Sequence, residues 1–317
     1  MSGVPVLVTY DIHLGTQSAE TVDRSLRTVI EMHERFQIKA SFSFPAAAAQ
    51  RLRPAVRALL DAGHEIGNHG LTHGPGEIYN RLPAGEQETL LRRATQALEE
   101  VTQRPVRFFR APVFRISGAT IRALEALGYE AELSMNSQRL GLLSSDPWNL
   151  TWLLAPRRPY HPSLRHPWRK GSTRLWEIPL SCALVPFMSN TMLICGLTFM
   201  KAFFSALYRE ALVFGGPIVF MSHPEELCPD REAVKRNPLG WRDLVPSRYG
   251  FGFRHALMER DPVKIAKHSL ALLDYLRSFQ RVRFLTVSEY VRQLNGAPAW
   301  GPTGVPTAVG DHAFHAA

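Results

Sequence analysis

The stretch "VPVLVTYDIH", residues 4–13, begins with an apolar run and ends in an acid and an imidazole. Its first half is rich in valine and leucine, which is typical of a strand buried on both faces of a parallel sheet. Asp11 and His13 lie where the strand ends, two residues apart and thus on the same side of an extended chain. The stretch therefore predicts an inner strand whose carboxyl end carries chemistry.

Strands and helices alternate along the rest of the chain. Amphipathic runs, such as residues 46–63 ending on Gly63, separate the predicted strands, which cover residues 38–44, 64–69, 105–110, 129–135 and 215–223. This alternation is typical of an α/β fold with a parallel sheet, closed or doubly wound, and such folds place chemistry at the carboxyl ends of strands. The polar residues predicted to share that rim are Asp11, His13, His69, His73, Arg110 and His223.

Composition favours one large soluble domain. Of 317 residues, 45% are hydrophobic and 21% are charged, as in globular proteins with a sizeable core. We predict a catalytic domain over residues 1–295 and a disordered tail over residues 296–317. The start of the chain lacks the pattern of a signal peptide, so we expect a cytoplasmic protein. The cysteines Cys182, Cys195 and Cys228 are far apart, so we expect them to be reduced.

Positive charge predominates, with a formal net charge of +9. Such a balance favours an anionic partner, namely nucleic acid, a phosphorylated substrate or an acidic lipid surface. The basic segment at residues 157–170 contains prolines that exclude a long basic helix, and it carries no nucleic-acid motif. We therefore expect no nucleic-acid partner.

The segment "HEIGNHGLTH", residues 64–73, places His69 and His73 four residues apart. That spacing can bring two imidazoles together around a cation, but alone it also fits exposed histidines. The wider segment "GHEIGNHGLTHG" closely resembles the second motif of the polysaccharide deacetylase family, the NodB homology or carbohydrate esterase family 4 enzymes. The pattern of that motif is His, then Ser, Thr or a similar residue, two more residues, and His. The resemblance implies that His69 and His73 are metal ligands and that His64 is structural.

"LVTYDIH" is similar to the first motif of the family, in which an aspartate is the general base and a second acid binds metal. Asp11 matches the base, but His13 stands near where relatives have the second acid. One interpretation makes His13 a third imidazole ligand. The other makes Asp11 itself a ligand and leaves the role of base to another group.

"FFRAPVFRIS" resembles the third motif, Arg-x-Pro, which implies that Arg110 lies beside the catalytic carboxylate. It also implies a substrate-binding turn at Pro112, Val113 and Phe114, where backbone N–H groups line the oxyanion site. "VFMSHPEEL" resembles the last motif and implies that His223 is the general acid. The residue that tunes His223 stays open among Asp146 with Trp148, Trp176 with Glu177, and Glu225 or Glu226.

The resemblance covers roughly residues 4–295 and implies a distorted (β/α) barrel of the NodB homology type. It implies a hydrolase that uses one divalent ion to remove an N-acetyl or N-formyl group from an amino sugar. Imidazole ligands suit zinc best, with cobalt, manganese, iron or nickel as alternatives. The rival interpretations are a hydrolase of small cyclic amides, as in allantoinase-like relatives, and an inactive carbohydrate-binding member.

Residues 183–222 form the most apolar stretch, but charged residues interrupt it and argue against a membrane span. The run at residues 197–214 predicts a core-packed helix through Phe199, Phe203, Leu207 and Leu212. The alternative is a helix on the membrane interface, close to the basic segment. Because the family has cytoplasmic branches acting on polyprenyl-phosphate-linked sugars, the resemblance also allows a lipid-linked substrate and peripheral contact with the anionic inner face of the cytoplasmic membrane.

Overall fold

The computed structural model describes residues 3–14, 18–139, 151–227, 246–247, 250–251 and 257–296. Asp146, Trp148, Cys228 and the tail from residue 297 lie outside the described residues, so the predictions made for them stay predictions. The strands are β1 (Val4–Asp11), β2 (Ser41–Phe44), β3 (Glu65–Asn68), β4 (Phe108–Phe109), β5 (Ala131–Glu132), β6 (Trp176–Glu177), β7 (Cys182–Ala183), β8 (Val185–Pro186), β9 (Ile218–Ser222), β10 (Pro246–Ser247), β11 (Gly250–Phe251) and β12 (Val282–Phe284).

Helices follow most strands of the main sheet, as the sequence predicts. They are α1 (Ala19–Phe36), α2 (Ala46–Arg51), α3 (Arg53–Asp61), α4 (Ala84–Thr102), α5 (Gly118–Ala126), α6 (Thr151–Leu154), α7 (Ser189–Phe214), α8 (Pro224–Leu227), α9 (Pro262–Arg277) and α10 (Val287–Leu294). Several begin at the side-chain caps expected of helix starts, such as Ser18 for α1 and Ser117 for α5.

The main sheet is parallel and is centred on β1. Its order is β12-β1-β2-β3-β4-β5-β6, and β9 pairs with β1. After β6 the chain contacts β9, which pairs with β1 at the other side of the sheet. The Ser181 N–H donates to the Val219 carbonyl over 3.3 Å, and the Val219 N–H donates to Ser181 Oγ over 2.9 Å. The sheet thus curves back on itself as the predicted distorted (β/α) barrel.

Strand β1 places its alternate residues on two sides of the sheet. Val6, Val8 and Tyr10 pack in the main apolar core with the inward face of α1. Thr9 and Asp11 lie on the other side, where Arg110 contacts both. Burying each large apolar side chain contributes about 1.5–3 kcal/mol, so β1 is held by its apolar residues, including Leu7 inside the barrel, and displays polar groups only at its carboxyl end.

Two predicted helices differ from the observed ones. The run at 46–63 is split at Leu52 into α2 and α3, because Pro54 has no amide hydrogen and can enter a helix only in its first turn. The helix predicted at 197–214 starts earlier, at Ser189, and bends at Gly196, where φ is 82°.

Helix α7 is partly a core helix and partly exposed. Phe203 and Leu207 are buried as predicted, but Phe199 and Leu212 are exposed, because α9 and β9 cover only one side of the helix. By length and composition alone α7 could cross a membrane, a property that it shares with core helices of soluble proteins.

Candidate active site

Three histidines meet at the carboxyl ends of β1 and β3. His13 follows β1, whereas His69 and His73 follow β3. Their candidate ligand nitrogens all lie within 4.8 Å of one another, and the Nε2 atoms of His13 and His69 are 3.3 Å apart. The structure thus brings the three predicted ligands together, as expected if residues i and i+2 of an extended strand end point to the same side.

The protonation of these rings fits a divalent cation. His69 Nδ1 donates to the Arg110 carbonyl over 2.7 Å, which leaves Nε2 as an unprotonated acceptor facing His13. Burial lowers the pKa of His69 to about 3 and is also the main cause that lowers the pKa of His13 and of His73. Zinc and similar ions bind neutral imidazoles, and a ligand histidine typically donates its other ring N–H to a carbonyl, as His69 does here.

Arg110 and Asp11 form a buried ion pair at the same end of the strands as the histidines. Arg110 Nη1 donates to Asp11 Oδ1 over 2.8 Å and to Thr9 Oγ1 over 3.0 Å, while Nε donates to the Leu133 carbonyl over 3.0 Å. Burial alone would raise the pKa of Asp11, but the charge and hydrogen bond of Arg110, together with the charges of His69 and His223, outweigh burial, so the pKa is lowered. Asp11 therefore stays ionised at neutral pH, which is the state that a general base requires.

His223 follows β9 and is held by the helix turn after it. Its Nδ1 lies 3.0 Å from Oε2 of Glu226, and Ser189 Oγ at the start of α7 also donates to Glu226. Burial alone would lower the pKa of His223, but the carboxylate of Glu226, with smaller contributions from Glu225 and Asp11, raises it to about 10. His223 is therefore protonated at neutral pH, and its ring lies 4.5 Å from that of His13 between centroids.

Among the described candidates for tuning His223, Glu226 makes the contact and Glu177 does not. Glu177 lies instead beside Glu132 inside the barrel, where its Oε1 accepts from the Met135 N–H over 3.0 Å. Burial and then the charge of Glu132 raise the pKa of Glu177 well above its usual value, so this pair holds a proton. The Glu132 carboxylate also accepts from the N–H and hydroxyl of Ser134.

The predicted substrate-binding turn lies against the histidine loop. Pro112, Val113 and Phe114 form a 3₁₀ turn in which Val113 and Phe114 have left-handed φ values of 52° and 59°. Such backbone costs about 1–3 kcal/mol for a residue with a side chain. The Phe114 N–H donates to the Ala111 carbonyl, so this amide is used within the turn. A role for the turn in binding substrate stays a prediction.

His64 is structural in its contacts, as predicted. It lies before β3, at the opposite end of the strand from His69, and its Nδ1 accepts from the Ala40 N–H over 3.1 Å. Its ring packs edge-on against Phe42 and His33. Cys182 and Cys195 are free, also as predicted.

Two buried acids near the site, Glu77 and Glu132, are not predicted from the sequence. Glu77, in the loop after His73, accepts from the backbone N–H groups of Leu71, Thr72 and His73. Glu132 was missed as well, although a charged residue inside the apolar run "YEAELSM" is itself a signal of a buried polar cluster.

The barrel carries its polar rim at the carboxyl ends of the strands, and sequence comparison shows which family the first part of the chain resembles. Residues 4–131 match the model of the family described as Polysaccharide deacetylase. It is 33% identical over 110 residues to the peptidoglycan deacetylase-like protein FGM2 of Gibberella zeae, and the match covers 34% of this chain and 31% of that protein. Over 107 residues it is 22% identical to a peptidoglycan deacetylase of Helicobacter pylori, 34% of this chain and 36% of that protein.

Solved structures agree with the fold along nearly the whole chain. A structure from Mycobacterium smegmatis, assigned provisionally as a polysaccharide deacetylase, superposes with a TM-score of 0.61 at 16% identity and covers 96% of both chains. The Puue allantoinase structure gives a TM-score of 0.59 at 14% identity, over 94% of this chain and 92% of that one. At these identities the likeness establishes the distorted (β/α) barrel, while the curated relatives are matched over about a third of their length.

Proposed function

We propose that this protein is a metal-dependent hydrolase that removes the acetyl or formyl group from the nitrogen of an amino sugar. The observation that supports it is the meeting, at one rim, of three neutral imidazoles, the ionised Asp11 and the protonated His223. The names of the two curated relatives, both peptidoglycan deacetylases or similar to them, support a sugar substrate.

His13, His69 and His73 would hold the divalent ion. When bound, the ion supplies Lewis acidity that polarises the amide carbonyl and acidifies water. Three imidazole donors favour zinc, with cobalt, manganese, iron and nickel as alternatives. Because three nitrogen ligands leave coordination positions open, the set suits a catalytic rather than a structural ion.

Asp11 and His223 divide the proton transfers. Arg110 keeps Asp11 ionised, so Asp11 can accept the proton of the attacking water. Glu226 keeps His223 charged, so His223 can donate a proton to the leaving amine. Two titratable groups with pKa values shifted in opposite directions are the pattern expected of an acid and a base in one site.

The proposal is tested by metal-reconstituted protein and a substrate panel. Release of amine would be measured from N-acetyl and N-formyl amino sugars, in soluble and polyprenyl-phosphate-linked forms, and from hydantoin-like cyclic amides. We expect activity on the amino sugars, and we expect Asp11→Asn and His223→Gln each to lower kcat by about 10²–10⁴-fold. Asp61→Asn, at an exposed aspartate on helix α3, is the matched control. Full activity in Asp11→Asn, or activity on the cyclic amides alone, would refute the proposal.

Metal content separates the two interpretations of the first strand. If His13 is the third ligand, His13→Ala lowers bound zinc while Asp11→Asn retains it. If Asp11 is the ligand, the two results are reversed. We propose the first, because His13 and not Asp11 belongs to the cluster of close ligand atoms.

We further propose a cytoplasmic protein with peripheral contact to anionic membrane. Exposed Leu212, Val213 and Phe214 end helix α7, and the Arg158 guanidinium lies 5.3 Å from the Phe214 ring centroid. Exposed apolar side chains next to arginines are typical of surfaces that bind the interface of an anionic membrane. Phe214→Glu should reduce sedimentation with vesicles rich in phosphatidylserine, whereas the exposed Leu257→Glu should not. Equal binding of wild type to neutral and anionic vesicles would contradict this.

A further inference from the structure

The loop that carries His73 is held by a buried carboxylate. Glu77 is 4% exposed and accepts hydrogen bonds from five donors. Its Oε2 accepts from the N–H of Thr72 over 2.8 Å, from Thr72 Oγ1 over 3.0 Å and from the N–H of His73 over 2.9 Å. Its Oε1 accepts from the N–H of Leu71 and from the hydroxyl of Tyr79.

The carbonyl side of the same loop is held by helix α2. The N–H groups of Ala46 and Ala47 donate to the carbonyls of Gly70 and Leu71, each over 2.9 Å. Glu77 and α2 therefore fix the loop from both sides. His73 is held with φ at 59°, a conformation that residues with side chains rarely adopt without such support.

Gly70 makes room for this carboxylate. A Cβ atom on Gly70 would lie 2.4 Å from Oε1 of Glu77 and 3.2 Å from Cγ of Pro112. Gly70 also has a φ of 86°, which favours glycine. Residue 70 must therefore lack a side chain if Glu77 is to reach the loop's N–H groups.

We propose that Glu77 is a positioning residue for the divalent ion: it sets the backbone so that the His73 imidazole joins those of His13 and His69, and Gly70 is required for it. The inference rests on the proposed metal-dependent function. Without Glu77, three loop N–H groups lose their acceptor and the left-handed His73 loses its support. Partners behind a ligand typically contribute 10–100-fold to metal affinity.

The test is a Co²⁺ titration of chelator-treated protein, followed by the visible absorption band that reports the ligand geometry of bound cobalt. Glu77→Gln keeps the shape but turns an NH₂ group toward N–H donors, so we expect about 10–100-fold weaker binding and an altered band. Glu65→Gln is the matched control. Glu65 also accepts hydrogen bonds, from Ser41 Oγ and the Ser288 N–H, but at the opposite end of β3, so Co²⁺ binding should be unchanged.

A double-mutant cycle tests the pairing of Gly70 with Glu77. Gly70→Ala should weaken Co²⁺ binding by about tenfold or more in the wild-type background and by a smaller factor in Glu77→Ala, where the collision with the carboxylate is gone and only the left-handed φ and the approach to Pro112 remain. If Glu77→Gln does not fold, Thr72→Val removes the hydroxyl that donates to Glu77 and accepts from the Gly74 N–H, and it should weaken binding by about 2- to 10-fold.

Two results would overturn the inference, and only the first of them would also overturn the proposed function. Wild-type protein that binds no Co²⁺ would refute both this inference and the proposed function. Wild-type binding with an unchanged affinity and band in Glu77→Gln, or in Thr72→Val where that variant replaces it, would refute this inference alone.

Discussion

Replacing Arg110 with methionine should be among the most destabilising single changes in the barrel. Methionine fills similar apolar volume but removes the charge and the three hydrogen bonds to Asp11, Thr9 and the Leu133 carbonyl. Asp11 would remain buried and ionised without a partner. Breaking a buried pair in this way costs about 3–5 kcal/mol, a large part of the roughly 5–15 kcal/mol that stabilises a typical domain.

The sign of the pH effect follows from Asp11. In the wild type the pKa of Asp11 is lowered, so ionised Asp11 stabilises the folded protein at pH values above the ordinary pKa of aspartate. This stabilisation is lost as the pH falls through the pKa that Asp11 has in the folded protein. In Arg110→Met only the smaller effects of His69 and His223 oppose burial, so the pKa of Asp11 is higher than in the wild type and its ionised form is less well stabilised at neutral pH. The difference in free energy of unfolding between the wild type and Arg110→Met should therefore become smaller as the pH falls toward about 4.

Urea denaturation of the metal-free proteins, followed by circular dichroism at several pH values, measures this gap. The double variant Asp11→Asn, Arg110→Met should recover part of the loss, because no charge is left unpaired. Arg92→Met, which breaks an exposed pair with Glu88, should change stability by less than about 1 kcal/mol. An Arg110→Met variant that loses no more stability than this control, or that loses the same amount at every pH, would contradict a stabilising role for the buried pair.

Three further changes test other parts of the structure. Glu226→Gln removes the charge that keeps His223 protonated, so steady-state kinetics should show a lower kcat with little change in KM; an unchanged kcat would contradict that role. Burial lowers the pKa of His33 to about 3, so as the pH falls below about 6.5 the unfolded chain binds a proton at His33 that the folded protein does not bind. The free energy of unfolding of the wild type should therefore fall by about 2 kcal/mol by about pH 5, relative to that of His33→Gln in denaturant titrations. Parallel pH profiles of the two proteins would argue against this. A Cβ on Gly67 would lie 2.2 Å from the Phe108 ring, so Gly67→Ala should cost about 1–3 kcal/mol in urea denaturation, whereas Gly76→Ala, with nothing within 4 Å, should not.

The sequence predicts the barrel and most of its rim because both depend on short-range signals. The alternation of strands and helices gives the parallel sheet, and the period of two along β1 places Asp11 and His13 on one side. Arg110 comes directly after β4 and meets Asp11 at the carboxyl ends of the strands, as the motif order implies. These residues are fixed by their position on regular elements, which a sequence pattern encodes.

Other features depend on how loops close, and a local pattern does not encode that. Glu77 is five or six residues from the N–H groups of Leu71 and Thr72 that it binds, across a loop with no periodicity. The contact of Glu226 with His223 depends on a helix turn immediately after the strand, so it was one of several open alternatives. The break at Leu52 was visible as Pro54, but the alanine-rich run before it suggested one continuous helix.

The close approach of Gly70 to Glu77 also constrains how the chain can change during evolution. A side chain at position 70 collides with the carboxylate, and loss of the carboxylate leaves the loop N–H groups without their acceptor. The acid at position 77 is therefore compatible with this loop only where position 70 lacks a side chain. Among relatives the two positions will vary together, and a protein with a larger residue at the first will hold its histidine loop by another acceptor.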